Sequence, residues 1–257
     1  MYQWYKNASI CYASLEDVYQ DPETNGFRAF RSSKWFTRGW TLHELIAPPI
    51  VEFYRACWSE IGTRGSLQHR LTDITGINRD VLTGGNPFLY AVAVRRSWAA
   101  RRETSRLEDQ AYCLFGILGV NMPLLYSEGR RAFRHLQEEM LRVDEDYTLF
   151  AWDAFSPTES LLASSPSDFV TFEPVLELLP AERAGESEFF LREHLSNTCF
   201  SILPPPEDHS PPHLTSRGCY LSLPLLRHQE RSWHGCLECL ERPNSDILLL
   251  VRNVASS

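Results

Sequence analysis

The sequence predicts an α/β unit over residues 1–62, a helical block over 63–146 and a small β-rich region over 147–257. Three observations carry this reading. Helical and extended segments alternate through the first sixty or so residues, an order that usually builds a parallel sheet. Apolar residues then recur at three- and four-residue spacing up to Val143. From Tyr147 the texture changes to short apolar pieces broken by serine and proline.

The chain opens on YQWYKNA, the end of an amphipathic helix carrying Trp4 and Tyr5. SICYASL follows as a buried strand near residues 10–15. A chain that begins on the last turns of a helix and enters a core strand is expected to be cut at its front. After the polar loop EDVYQDPETNGFRAF comes SKWFTRGWTLHELIAP, residues 33–48, read as a helix. At about 100° per residue, Trp35, Leu42, Leu45 and Ile46 gather on a core side. Ser33, Thr37, Trp40 and Glu44 gather roughly opposite. IVEFYRA is the next strand, and SEIGTRG closes the unit with two glycines.

In the helical block, SLQHRLTDITGI places Leu67, Leu71 and Ile74 on one side, and Gly76 ends it. PFLYAVAVRRSWAARRE starts with Pro87, suited to a first helical position. SRLEDQAYCLFGILG has Ser105 and Glu108 at capping-box spacing. GRRAFRHLQEEMLRV sets Phe133, Leu136, Met140 and Val143 on one stripe. In the tail, CYLSLPL, HGCLECLE and DILLLVRNV read as strands beyond a proline-rich loop.

Composition limits the function. At 257 residues and 43% hydrophobic, the chain has enough apolar side chains for a core. A net charge of −8 argues against general nucleic-acid binding. No apolar run approaches the ~20 residues of a membrane span, and the N-terminus has no signal-peptide pattern. Seven scattered cysteines suggest reduced thiols and a cytoplasmic protein.

Three constellations are candidates for chemistry. Glu44 with Trp40 one turn before it combines a carboxylate with a ring that stacks on a sugar or base; the plain alternative is a surface glutamate. RRETSRLEDQ sets Arg101, Arg102 and Arg106 against Glu103, Glu108 and Asp109, either a phosphate clamp or, more in keeping with such runs, an ion-pair network. The single CxxC of Cys236 and Cys239, even with His213 and His234, is weak zinc evidence, so no metal is expected. GxSxG, HExxH, P-loop and GxGxxG motifs are absent from the sequence.

Together, WYKNASICYASLEDV, SSKWFTRGWTLHELIAP, FYRACWSEIG, SWAARRETSRLEDQAYCLFGILGVNMPLLYSEGRRAFRHLQEEM and YTLFAWDA resemble the fungal heterokaryon incompatibility (HET) domain. The likeness is to its C-terminal part and to the domain of unknown function that commonly follows it, over roughly residues 1–170. It implies a partial flavodoxin-like parallel sheet similar to that of Toll/interleukin-1 receptor (TIR) domains. It also implies a role in nonself recognition that ends in programmed cell death. Some TIR domains cleave NAD at the nicotinamide–ribose bond with a helical glutamate. Carried over, that glutamate is Glu44 and its aromatic companion is Trp40. NAD is then the candidate substrate, and no cofactor is implied. His43 stands where glutamine is usual, and Cys57 where aspartate often precedes the tryptophan. The family's early strands, near SYVWG and WIDTLCID, have no counterpart, so NAD hydrolysis is expected to be lost. Other incompatibility or NLR-type proteins are the implied partners, with self-assembly by analogy. The competing readings are a non-catalytic interaction or regulatory module and a non-functional gene fragment.

Overall fold

A computed structural model describes residues 1–25, 27–143, 146–150, 152 and 162–169, and strand residues 200–203, 213–215, 218–220, 225–228, 232–236 and 250–252. The first part runs α1 (Tyr2–Lys6), β1 (Cys11–Leu15), α2 (Arg28–Arg31), α3 (Thr41–Ile46), β2 (Val51–Arg55) and β3 (Glu60–Thr63). Parallel pairing of β1 with β2 sets Cys11 opposite Val51 and Leu15 opposite Arg55. β3 then returns antiparallel to β2, with an irregularity between Phe53 and Tyr54. The sheet is therefore mixed, in the order β1-β2-β3. SEIGTRG, expected only to close the unit, supplies that third strand. Trp58 at φ 60° makes the reversal, and Trp58 N–H donates to the Arg55 carbonyl at 2.8 Å.

Alternation along the strands points Ala13, Leu15, Val51 and Phe53 to one buried face. Phe30 and Trp35 stand edge-on to Phe53 at 5.6 and 5.4 Å. Burying each such side chain contributes roughly 1.5–3 kcal/mol, so this ring cluster holds the segment before α3 on the sheet.

The segment 33–48 is not one helix. A 3-10 turn, Lys34–Thr37, is capped by Ser33, whose Oγ accepts from Trp35 N–H at 3.3 Å. Arg38 is extended, and α3 begins only at Thr41. The break has a tertiary cause. Gly39 N–H donates to the Glu103 carbonyl at 2.8 Å, and Glu103 N–H donates to the Thr37 carbonyl at 2.6 Å. A Cβ on Gly39 would lie 2.5 Å from Thr104 Cγ2. The wheel drawn through the whole segment thus fails for Ser33 and Thr37, but it holds for Trp40 and Glu44, the first just before α3 and the second within it.

The helical block comprises α4 (Gln68–Thr75), α5 (Arg79–Leu82), α6 (Val92–Ser97), α7 (Asp109–Tyr112), α8 (Phe115–Leu118) and α9 (Arg131–Val143). α4 ends on Gly76 at φ 70°, the left-handed residue a helix stop uses. Asp146 accepts Val92 N–H at 2.6 Å and so serves the start of α6 from a distance of 54 residues. The capping box expected from Ser105 does not form. α7 starts at Asp109, and Glu108 accepts Gly129 N–H at 3.0 Å instead. On α9, Phe133, Leu136 and Met140 are buried, while Val143 is exposed.

One buried arginine ties this block together. Arg96 lies over the Phe133 and Phe169 rings and donates to Gln137 Oε1 at 3.3 Å. Gln137 in turn exchanges hydrogen bonds with the Ala163 backbone. Among the described residues, one hydrophobic cluster runs from Tyr2 to Phe169.

Further on, β4 (Phe200–Leu203), β5 (His213–Thr215), β6 (Gly218–Tyr220), β7 (Leu225–His228), β8 (Ser232–Cys236) and β9 (Leu250–Arg252) follow. Their pairings are antiparallel, in the order β4-β7-β8-β9 with a separate β5-β6 pair. Among the described residues no helix is long and apolar enough to cross a membrane.

Candidate functional site

α3 is a short helix that two arginines hold from either end. Pro48 and Pro49 stop it, and Arg64 serves carbonyls that the ended helix leaves without a partner. Its Nη1 donates to Leu45 and Ile46 at 2.8 and 3.0 Å, and its Nη2 to Pro49 at 3.1 Å. A cation at a helix C-terminus also meets the negative end of the dipole. At the other end, Arg102 Nη1 donates to the Arg38 carbonyl and to Thr41 Oγ1, both at 2.9 Å. Thr41 Oγ1 itself donates to the Trp35 carbonyl at 2.6 Å.

On this fixed helix Glu44 is half-buried, and its Oε1 accepts the Tyr5 phenol at 3.2 Å. Burial first, then Glu44, pushes the Tyr5 phenol up to about 12, so it remains a donor at neutral pH. The same two causes push the Cys11 thiol up to about 11. Trp40 is half-buried and stands edge-on to His43 at 6.0 Å, and His43 stands edge-on to Tyr2 at 5.7 Å. His43 is 1% exposed, and the polar group beside its ring is the Cys113 backbone. Burial, then the N-terminal ammonium and Arg102, pushes it down to about 4. It is therefore a neutral core ring.

The sequence placed Glu44 and Trp40 on one helix, as found. It missed Tyr5 and Cys11, which α1 and β1 bring to the carboxylate. Only their aromatic and thiol character marks them in the sequence, and other residues share it.

A separate cavity of about 810 Å³, lined by both polar and aromatic side chains, opens at the carboxyl end of β1. Ser14, Asp17, Lys34, Thr37, Arg38 and Glu103 are among its lining residues, and neither Trp40 nor Glu44 is. Ligands of open α/β sheets commonly sit outside the carboxyl ends of strands. Asp17 accepts Ser33 Oγ–H at 2.6 Å and Lys34 N–H at 2.7 Å. Partial burial opposes its charge, but these donors outweigh it and hold the carboxyl below its usual range.

Over 150 residues, 56% of its length, the chain is 43% identical to the vegetative incompatibility protein HET-E-1 of Podospora anserina. The chain resembles a HET-type fungal incompatibility protein. It spans 11% of the length of that relative. No family model matches the chain, and no solved structure matches it.

The other candidates resolve differently. Arg102 is buried and bonded to carbonyls and a hydroxyl, so it is neither a phosphate clamp nor a member of an ion-pair network. Arg106 stacks over Tyr126 at 4.8 Å. Cys57 is an exposed thiol 3.3 Å from Ser59 Oγ. Cys236 ends β8, while Cys239 lies outside the described residues. Among the described residues, no group of three or more His, Cys, Asp or Glu side chains is placed to hold a metal ion.

Proposed function

We propose that this chain acts in fungal vegetative incompatibility, as a HET-type module of nonself recognition that promotes programmed cell death. The identity with HET-E-1 supports the reading. In this proposal residues 1–62 and 63–146 work as one body, since Gly39 and Arg102 join them through the Glu103 and Arg38 backbones. It acts in the cytoplasm through contacts with NLR-type or other incompatibility proteins and through self-assembly.

The proposed mode is non-catalytic. In an NAD-cleaving relative the Glu44 carboxylate would hold the ribose hydroxyls and stabilise an oxocarbenium-like transition state. Here one carboxylate oxygen is taken by Tyr5, and the β1 cavity does not include Glu44. Purified chain incubated with NAD is expected to release no nicotinamide. Turnover lost in Glu44→Gln would instead establish the glycohydrolase. Induced expression in Podospora anserina is expected to arrest growth and kill hyphae, with Glu44→Gln equally effective. Unaffected growth with soluble chain present would overturn the incompatibility role.

A further inference from the structure

Among the described residues, the three-stranded sheet is covered on one face only. Tyr12, Ser14, Glu52 and Tyr54 alternate with the buried residues of β1 and β2 onto the other face. Parallel strands ordinarily lie under cover on both faces. Here the open face carries a row of rings. Tyr12 and Tyr54 stand 5.8 Å apart, and Trp58 stands 5.8 Å from Tyr54. Tyr12 is 56% and Trp58 66% exposed. Trp58 sits at φ 60°, a conformation costly for a large side chain, and that turn sets its indole at the end of the row.

Carboxylates flank the rings. Glu52 Oε2 accepts the Tyr54 phenol at 2.8 Å, and Glu60 adds to the negative field there. Arg55, the cation of β2, reaches Asp21 at 3.9 Å. Among the described residues no ion pair engages Glu52 or Glu60.

We propose that this open face docks a partner helix that presents arginine or lysine side chains beside its apolar stripe. Three strands spaced about 4.8 Å apart span roughly 10 Å, the width of one helix. Ring faces attract cations, and unpaired carboxylates attract them again. A second copy of this chain fits poorly, since the chain carries −8 and the face is itself acidic. Residues 170–199 fit no better, with six glutamates against two arginines. The inference stands apart from the incompatibility reading, because it rests on this face alone.

The full chain is titrated by calorimetry with three probes: a synthetic amphipathic helix of leucine and arginine, its leucine–glutamate counterpart, and chitotriose. The arginine helix is expected to bind, and to weaken at least about tenfold between low and high salt. Glu52→Gln with Glu60→Gln weakens it by a similar factor. Trp58→Gly also weakens it, and this variant keeps the fold because glycine adopts the φ that tryptophan is forced into. Absence of binding by the arginine helix overturns the proposal. So does equal binding of the glutamate helix, binding indifferent to these substitutions, or saturation of the face by chitotriose alone.

Discussion

Tyr5 and Glu44, 39 positions apart, meet through a 3.2 Å phenol–carboxylate hydrogen bond that joins α1 to α3. The pair couples the first helix of the chain to the residue that the HET resemblance marks as the ancestral catalytic position. A carboxylate held this way has one oxygen committed before any ligand arrives.

That bond is measurable as a coupling. Tyr5→Phe is expected to cost about 1 kcal/mol in urea unfolding, and about nothing further once Glu44→Ala has removed the acceptor. Ultraviolet titration should find the Tyr5 phenol near 12 and moving toward 10 in Glu44→Gln. Independent, additive losses would show that the two side chains do not support one another.

His43 makes stability depend on acid. It binds a proton below about 6.5 when unfolded, but only below about 4 when folded. Its contribution is therefore full above pH 6.5 and falls as the pH drops from 6.5 through 4. The loss is of order 3 kcal/mol, from 1.36 kcal/mol per pH unit. His43→Gln should flatten this part of the stability–pH curve. A variant that keeps the same acid slope would assign it to other groups.

Gly39→Ala is expected to destabilise by about 1–3 kcal/mol through overpacking against Thr104 and Cys113. Thr104→Ser in the same chain removes the colliding methyl and should restore part of the loss. Thermal melts of the single and double variants decide it.

Arg64→Ala should cost about 2–3 kcal/mol, since the buried Leu45 and Ile46 carbonyls at the end of α3, and the part-buried Pro49 carbonyl beyond it, lose their donor. Faster amide hydrogen exchange confined to α3 and its flanks would be the local signature. A uniform change across the chain would place the role of Arg64 elsewhere.

Strong local patterns made several elements legible in advance. SICYASL and IVEFYRA read as strands and β1 and β2 fall there, although Tyr12 of the strand expected to be buried is exposed, and Gly76 is where α4 stops. The stripe of Phe133, Leu136 and Met140 faces inward as its spacing required, while Val143 at the end of α9 does not. Glu44 and Trp40 share a side because i and i+4 neighbour each other whether the helix is long or short. Ser105 misled because a capping box is a local pattern, and here Glu108 found a better donor in Gly129.

The sequence by itself determined which segments prefer helix or strand, which faces are apolar, and the HET-type likeness, because these depend on near neighbours and side-chain type. The tertiary structure alone decided where the 33–48 segment breaks, that β3 turns the sheet mixed, and that Tyr5 meets Glu44. It also decided that Arg64 and Arg102 hold α3, and that Arg102 is buried there rather than clamping a phosphate. The physical reason is shared: each depends on a backbone carbonyl, an amide or a methyl supplied from a distant part of the chain. Such groups are common to many residues, so no pattern of side chains announces them before the chain has closed.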